Sequence, residues 1–205
     1  MDELKASAFG AETIPAFVDY VEGIYVGYKF YETAAAEGLI DYDKTVVYPF
    51  RRGLSYTTFT QTLNSVTEAD GTITVDVTVT NTGSASGKEV VEVYYNPPYT
   101  NGGIEKASAN LIGFAKTSEL APGASENVTV TFKAEDMASY DTYGKGCYVL
   151  EKGDYVISIN ADSHTVLDSK TYTVASDIVY DASNKRESDV EVADNKFGFA
   201  EGNVT

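Results

Sequence analysis

The chain has 205 residues, of which 43% are hydrophobic and 12% aromatic, with 16 tyrosines, 9 phenylalanines and no tryptophan. That apolar content argues against wholesale disorder, and the formal charge of −16 argues against nucleic acid as a partner, because phosphate contacts need clustered lysine and arginine. The single cysteine, Cys147, excludes an internal disulfide.

The N-terminal stretch MDELKASAFGAETIP is acidic and lacks an apolar core, so it does not have the pattern of a signal peptide. No apolar run in the chain approaches the roughly 20 residues needed to cross a bilayer. We therefore expect no membrane partner and favour a cytoplasmic location for the chain as given.

The first fifty residues are rich in aromatic side chains and then in alanine. The pattern predicts a helix over Lys29–Glu37 that is ended by Gly38 in the left-handed conformation. A chain of about fifty residues buries too little surface to be stable alone. We therefore interpret residues 1–52 as the final piece of a larger domain.

The middle of the chain, residues 53–175, has the period-two alternation of strands with one buried face. In three segments the alternation predicts which residues face the core. They are Ile73, Val75, Val77 and Val79 in the first, Val128, Val130 and Phe132 in the second, and Tyr155, Ile157 and Ile159 in the third. The segment Lys88–Asn96 is apolar on both faces and predicts a central strand. About seven short strands separated by Gly, Pro, Asn and Asp turns predict an antiparallel β-sandwich of the immunoglobulin or fibronectin III type.

Two further segments complete the prediction. Lys133–Asp141 has the composition of a single helical turn between strands. The last thirty residues, 176–205, are polar, acidic and rich in turn residues after DIVY, so we interpret them as a linker or tail. The predicted fold is mainly β, with a short fragment in front of the sandwich.

No catalytic constellation stands out among the residues. His164 is the single histidine and lies in a predicted hairpin turn, where we expect a surface residue rather than a catalytic base. Ala85 stands where a nucleophile elbow needs its serine, and one Cys with one His does not make an ordinary zinc site. No calcium loop or phosphate-binding glycine motif occurs, so we expect no metal and no cofactor.

Acidic residues are too numerous for any pair to stand out as the two carboxylates of a glycoside hydrolase. The pattern Asn-Val-Thr at Asn127 and Asn203 matches a glycosylation acceptor, but we interpret both occurrences as chance because no secretion signal accompanies them.

Two motifs near the start of the chain carry a family resemblance. VDYVEGIYVGYKFYET, with the run from Tyr20 to Glu32, resembles the signature Y-x-E-G-I-Y-V-G-Y-[RK]-[FY]-Y-[DE] of family 3 glycoside hydrolases, the β-glucosidase family. VVYPFRRGLSYTTF is similar to the later signature P-F-G-x-G-L-S-Y-T-x-F, with matches at Pro49, Phe50, Gly53–Thr57 and Phe59. The likeness covers roughly residues 16–174.

The resemblance implies that the first signature closes an α/β sandwich domain and that the second leads into a fibronectin III-like domain. It places the nucleophilic Asp in a (β/α)₈ barrel and the acid/base Glu upstream of the first signature, and no segment of this chain matches either motif. Glu22 lies beyond the expected position of the acid/base, so we expect it to be structural. The tail resembles the connector of members with reversed domain order.

Arg51 and Arg52 depart from the family pattern, which has a glycine followed by an aromatic residue or histidine there. If that glycine has a positive φ, an arginine in its place is strained by about 1 kcal/mol or more. Either the backbone there accepts any residue, or this chain has departed from the pattern of the active enzymes. We expect both arginines to be unpaired and to face solvent.

The resulting functional prediction is a non-catalytic structural region of a family 3 glycoside hydrolase. Its partners would be the remaining α/β and barrel domains, which hydrolyse O-glycosyl bonds, and the isolated chain would show no activity. One alternative is a free-standing module that binds β-glucoside oligosaccharides through Tyr95 and Tyr99 in a loop. The other is one chain of a split β-glucosidase.

Overall fold

The computed structural model describes residues 23–191, which form two short helices and ten strands. Glu22, Asn203 and the start of the first signature lie outside the described residues. The helices are α1 (Tyr28–Ala36) and α2 (Tyr42–Thr45). The strands are β1 (Phe59–Ala69), β2 (Thr72–Asn81), β3 (Val90–Asn96), β4 (Asn110–Lys116), β5 (Ser125–Lys133), β6 (Ser139–Tyr140), β7 (Tyr148–Leu150), β8 (Gly153–Asn160), β9 (Val166–Val174) and β10 (Ile178–Tyr180).

The strands form an antiparallel β-sandwich, as predicted. One sheet has the order β1-β2-β5, the second β4-β3-β8-β9, and a small third sheet β10-β7-β6. Every pair of neighbouring strands in these sheets is antiparallel. Strand β3 lies between β4 and β8, which confirms that the doubly apolar segment Lys88–Asn96 contains a central strand.

The hydrophobic core lies between the two larger sheets and is built by the predicted inward residues. In β2, Ile73, Val75, Val77 and Val79 have no exposed surface, whereas the residues between them are partly exposed. Alternation of this kind buries one side chain in two, because successive residues of a strand point to opposite faces. The remaining predicted inward residues, Val128, Val130, Phe132, Tyr155, Ile157 and Ile159, are all buried as well.

Two tight chain reversals follow directly from glycine. Asp70 and Gly71 join β1 to β2 with φ values of 49° and 72°, the pair of positive angles that a two-residue hairpin turn favours. Gly38, with φ of 71°, ends the first helix. Its N–H donates to the carbonyl of Ala35, and that of Leu39 to Ala34, the two bonds of a Schellman motif. The predicted helix and its glycine cap are therefore confirmed.

The predicted helical turn between strands is a 3₁₀ turn, Ala134–Met137. Strand β10 lies within the segment that the sequence placed in the linker, and it pairs with β7. Its last residue, Tyr180, is 9% exposed and belongs to the core. The ordered sheet structure therefore continues past residue 175. Within residues 23–191, no helix is long and apolar enough to span a bilayer.

Candidate functional site

The N-terminal segment, residues 24–56, packs on the face of the four-stranded sheet that points away from the core. The hydroxyl of Tyr28 in α1 accepts a hydrogen bond from the N–H of Leu111 in β4, at 2.9 Å. The carbonyl of Phe50 accepts one from the N–H of Ser163 in the β8–β9 turn, at 3.0 Å. We call the contact between the segment and this face the seam.

A buried carboxylate on α1 makes the first polar contact across the seam. Glu32 is 7% exposed, and its Oε1 accepts hydrogen bonds from the hydroxyls of Tyr42 (2.7 Å) and Ser163 (2.8 Å). Its Oε2 lies 2.8 Å from Nδ1 of His164. The Tyr42 ring stacks on the imidazole with centroids 3.6 Å apart. Burial, and then the hydrogen bond to Glu32, raises the pKa of Tyr42.

His164 lies in the turn that the sequence predicted, but its side chain has a partner that the sequence did not reveal. It lies in the β8–β9 turn, as predicted. Its side chain is 42% exposed, yet one ring nitrogen is held by Glu32, so it is a seam residue and not a free surface histidine. This contact was invisible in the sequence because the two residues are 132 positions apart.

A second buried carboxylate, Glu92 of β3, holds the junction between the segment and the sandwich. It is 4% exposed, and it accepts hydrogen bonds from Nε of Arg51 (2.8 Å) and from the hydroxyl of Tyr94 (3.0 Å). Burial, and then the Glu92 charge, raises the pKa of Tyr94. A buried carboxylate without a cation would be costly, so Arg51 has a defined partner here.

The prediction that both arginines are unpaired and face solvent is therefore wrong for Arg51. It has φ of 70°, the left-handed region, and its guanidinium lies 5.7 Å from the Phe114 ring centroid in addition to its bond to Glu92. Arg52 is exposed, with its guanidinium 4.9 Å from the ring centroid of Tyr48. The strained backbone at Arg51 is accompanied by an ion pair that a glycine could not make.

A buried lysine makes the third polar cluster, in the loop between β3 and β4. Lys106 is 6% exposed. Its ammonium group forms an ion pair with the Glu151 carboxylate and donates to the Pro98 carbonyl at 2.6 Å. A buried ammonium requires such partners, so this contact fixes the conformation of the loop.

For two of these three charged residues, the sequence contained a signal that hydrophobic periodicity did not reveal. Glu92 is the single charged residue of β3, between apolar neighbours, and Glu32 follows Tyr28 by four positions on one helix face. A lone charge in a buried context needs a partner, but the partners come from elsewhere in the chain.

The outer side of the N-terminal segment carries an unusual number of exposed apolar side chains. Of the eighteen large hydrophobic residues that are exposed within residues 23–191, ten lie in this segment of 33 residues. Leu54 and Tyr56 are 95% and 102% exposed. The ten are Ile24, Val26, Phe30, Tyr31, Leu39, Val47, Tyr48, Phe50, Leu54 and Tyr56.

The two tyrosines considered for sugar binding occupy different environments. Tyr95 is not in a loop but in β3, and its ring packs on the core with its centroid 6.5 Å from that of Tyr155. Burial raises the pKa of Tyr95 to about 12. Tyr99 lies in the β3–β4 loop and is 44% exposed. Only Tyr99 offers an exposed ring of the kind that the sequence suggested.

Two large cavities border α1. One, of about 610 Å³, lies between α1 and the outer sheet face and is lined in part by Glu32, Tyr95, Asn160 and His164. The other, of about 440 Å³, lies between α1 and the β3–β4 loop and includes Tyr99. Among residues 23–191 no group of three or more His, Cys, Asp or Glu side chains is arranged to hold a metal ion.

Comparison with known proteins identifies the region. The family model for the fibronectin type III-like domain matches residues 89–163. β-Glucosidase A of Butyrivibrio fibrisolvens is 39% identical over 189 residues, covering 82% of this chain and 22% of that protein. A β-glucosidase of Ruminococcus albus is 35% identical over 161 residues, covering 77% of this chain and 16% of that protein.

Solved structures agree with this result. β-Glucosidase 3B of Thermotoga neapolitana, in complex with α-D-glucose, superposes with a TM-score of 0.67 at 35% identity, over 78% of this chain and 21% of that one. A β-glucosidase of Paenibacillus barengoltzii gives a TM-score of 0.68 at 38% identity, over 78% and 18%. The chain thus spans about a fifth of the length of the proteins it matches.

Proposed function

We propose that this chain, which belongs to the β-glucosidases of glycoside hydrolase family 3, is a non-catalytic region that supports the catalytic domains of a larger enzyme. Its relatives are roughly five times longer than the part it matches, which implies further domains in the parent protein. In this proposal those domains are an α/β domain and a barrel, and they hydrolyse the glycosidic bond.

One observation carries the proposal: the apolar side chains concentrated on the outside of residues 24–56. Soluble proteins rarely leave so many apolar groups in water unless another surface covers them. The occupant that we propose is the rest of the α/β domain, whose last helix would be α1. The division of the chain is then residues 1–52 as the end of that domain, 53–175 as the sandwich, and 176–205 as the linker, whose first residues, in β10, still pair with β7.

The seam explains how such support would work physically. Three buried charged groups, Glu32, Glu92 and Lys106, hold the segment and the neighbouring loop on the sandwich. Breaking a buried ion pair by removing one partner costs several kcal/mol, so the segment would present a largely preformed surface to its partner.

A chimera tests the docking role. In β-glucosidase A of Butyrivibrio fibrisolvens, the matching region is replaced by this chain, and the midpoint of thermal unfolding is measured. Leu54→Asp and Tyr56→Asp are expected to lower that midpoint, because each places a charge in the covered surface. Val190→Asp is the matched control, since Val190 is 92% exposed and lies outside the segment. Equal midpoints for all three variants would contradict the proposal.

The isolated chain tests the non-catalytic role and the split-enzyme alternative together. Incubated alone with an aryl β-glucoside, it is expected to release no phenol, and measurable release would overturn the assignment. Mixing it with the remainder of the same relative distinguishes the alternative, because a split enzyme would regain turnover when the two chains are combined in solution.

A further inference from the structure

The tip of the β3–β4 loop carries the single Asn-Gly pair of the chain, Asn101-Gly102. The N–H of Gly103 donates to the carbonyl of Thr100 at 2.9 Å, and Gly102 has φ of 80°. Both features are those of a type II turn, which favours glycine at its third residue. Asn101, Gly102 and Gly103 are all exposed, so water has access to the whole turn.

Two groups that can react with each other meet in this turn. They are the side-chain amide of Asn101 and the backbone N–H of Gly102, and within residues 23–191 neither has a hydrogen-bond partner. A Cβ on Gly102 would meet nothing within 4 Å, and glycine carries none, so the space around its nitrogen is open. The nitrogen can therefore approach Cγ of Asn101 whenever the turn opens, and exposed loop tips open readily.

The comparable groups in two other turns are held in place. Asp70-Gly71 is the single Asp-Gly pair of the chain, but its glycine N–H donates to Oε1 of Glu68 at 2.7 Å. Asn184 is exposed like Asn101, but its Nδ2 donates to a backbone carbonyl at 2.9 Å and a lysine follows it. A side chain on the following residue hinders the approach of that residue's nitrogen. The turn at Asn101 therefore differs from both.

We infer that Asn101 is a site of spontaneous deamidation, in which the chain supplies the nucleophile and water is the co-reactant. The Gly102 nitrogen, having lost its proton to hydroxide, attacks Cγ of Asn101. The new C–N bond closes a cyclic imide, and Nδ2 takes up a proton and leaves as ammonia. Water then opens the imide at either of its two carbonyls, which gives aspartate or isoaspartate. The sum is one water consumed and one ammonia released, with no change in oxidation state.

The product changes the charge of the loop. Each converted chain carries one additional carboxylate, and isoaspartate also adds a methylene to the backbone. Asn101 of the loop and Glu37 of α1 line the same cavity, so the new charge shares that cavity with a carboxylate. The Lys106 ammonium in the cavity wall is already paired with Glu151 and does not neutralise it. An acidic variant, with a less favourable contact between the loop and α1, is therefore expected to accumulate.

The test is an incubation of the full chain at physiological temperature and mildly alkaline pH for a month. Isoelectric focusing follows the acidic variant, and peptide mapping by mass spectrometry locates the converted residue. In water enriched in heavy oxygen, both products are expected to take up the label at Asn101, because water opens the imide. A synthetic peptide with the loop sequence is the reference for an unrestrained turn, and we expect the folded chain to react within about thirtyfold of its rate.

Three variants identify the reacting groups. Asn101→Gln is expected to abolish the acidic variant over the same period, because its longer side chain closes a ring far more slowly. Gly102→Ala is expected to slow the conversion by about tenfold or more, because a methyl group beside the nitrogen hinders its attack. Asn184→Gln is the matched control and is expected to leave the rate unchanged, since Asn184 is an exposed asparagine in another turn.

Several results would overturn the inference. No conversion at Asn101, or a rate more than about thirtyfold below that of the peptide, would show that the folded turn protects the amide. An acidic variant that accumulates unchanged in Asn101→Gln would place the reaction elsewhere in the chain. Equal conversion of Asn101 and Asn184 would show that the open Gly102 nitrogen does not decide the site. Circular dichroism checks that each variant is folded, which the exposure of the substituted residues favours.

Discussion

The Oε2 atom of Glu32 lies 2.8 Å from Nδ1 of His164, the single histidine of the chain. The carboxylate is buried and also accepts the hydroxyls of Tyr42 and Ser163. Helix α1, α2 and the β8–β9 turn therefore meet at one carboxylate. In the division of the chain that we propose, α1 belongs to the preceding domain and the turn to the sandwich, so this carboxylate would join the two parts.

Replacing Glu32 by Ala is expected to lower the free energy of unfolding by about 2–4 kcal/mol, since it leaves buried hydroxyl groups without their acceptor. The measurement is urea denaturation followed by circular dichroism. Lys44→Ala removes the exposed ion pair with Asp41 and serves as the control, expected to cost less than about 1 kcal/mol. Similar values for the two variants would show that the buried carboxylate contributes nothing to stability.

Two substitutions of Arg51 separate the stability that its ion pair contributes from the cost of its backbone strain. Both Arg51→Ala and Arg51→Gly remove the bond to the buried Glu92, but only glycine is at ease at a φ of 70°. We expect both to be destabilised, with the glycine variant more stable than the alanine variant by about 1 kcal/mol. Urea denaturation of the two variants decides the question, and an alanine variant as stable as the glycine variant would show that the strain is negligible.

Asn81 ties three loops together at the end of β2. It has no exposed surface; its Oδ1 accepts from the Thr57 hydroxyl and the Gly83 N–H, and its Nδ2 donates to the carbonyls of Ala85 and Leu120. Asn81→Ala is expected to cost about 2–4 kcal/mol of unfolding free energy, because buried partners lose their bonds.

The control for Asn81 is an asparagine one strand away. Asn64 is exposed and donates from its side chain to the Thr78 hydroxyl at 2.9 Å. Asn64→Ala is expected to change the unfolding free energy by less than about 1 kcal/mol. Both variants are compared with the unchanged chain by thermal denaturation under one condition. Equal losses of stability for the two would contradict the prediction.

Alkaline pH is expected to weaken the fold through buried tyrosines. Burial raises the pKa of Tyr95 from 10.0 to about 12. Burial also raises the pKa of Tyr94 and the pKa of Tyr155. The contribution of Tyr95 is fully present below its unfolded pKa of 10.0 and is lost as the pH rises through its folded pKa of about 12. Between pH 10.0 and about 12, Tyr95 is ionised in the unfolded chain but still neutral in the folded one, so ionisation favours unfolding.

The measurement is the unfolding free energy in urea between about pH 9 and pH 12, with a fall of up to about 1.4 kcal/mol per pH unit for each such tyrosine. Tyr95→Phe is expected to reduce the slope, since phenylalanine does not ionise. A profile that is flat over this range would contradict the assignment of Tyr95 as a partly buried, neutral residue packed on the core.

Much of the sandwich could be predicted from the sequence because strand burial is a local pattern. The valines of β2 alternate with polar residues, and this alternation alone indicates which side chains face the core. Gly38 likewise predicted the end of α1, because the left-handed conformation is a property of one residue. The family signatures are also contiguous, so they could be recognised without a fold.

The partners across the seam could not be predicted in this way. Glu92 meets Arg51 from 41 positions away, and Glu32 meets His164 from 132 away. No periodicity encodes such pairs, which is why Arg51 was expected in solvent. Tyr95 and Tyr99 appeared equivalent in the sequence, but one belongs to β3 and the other to the loop that follows it.

By itself, the sequence determined the β-sandwich, its inward-facing residues and its family, because these depend on neighbouring residues along the chain. Only the tertiary structure decided which charges are buried and paired, and which tyrosine borders a cavity. A buried charge is tolerated only beside a partner of opposite charge or a hydrogen-bonding group, and that partner becomes its neighbour only when distant segments fold together.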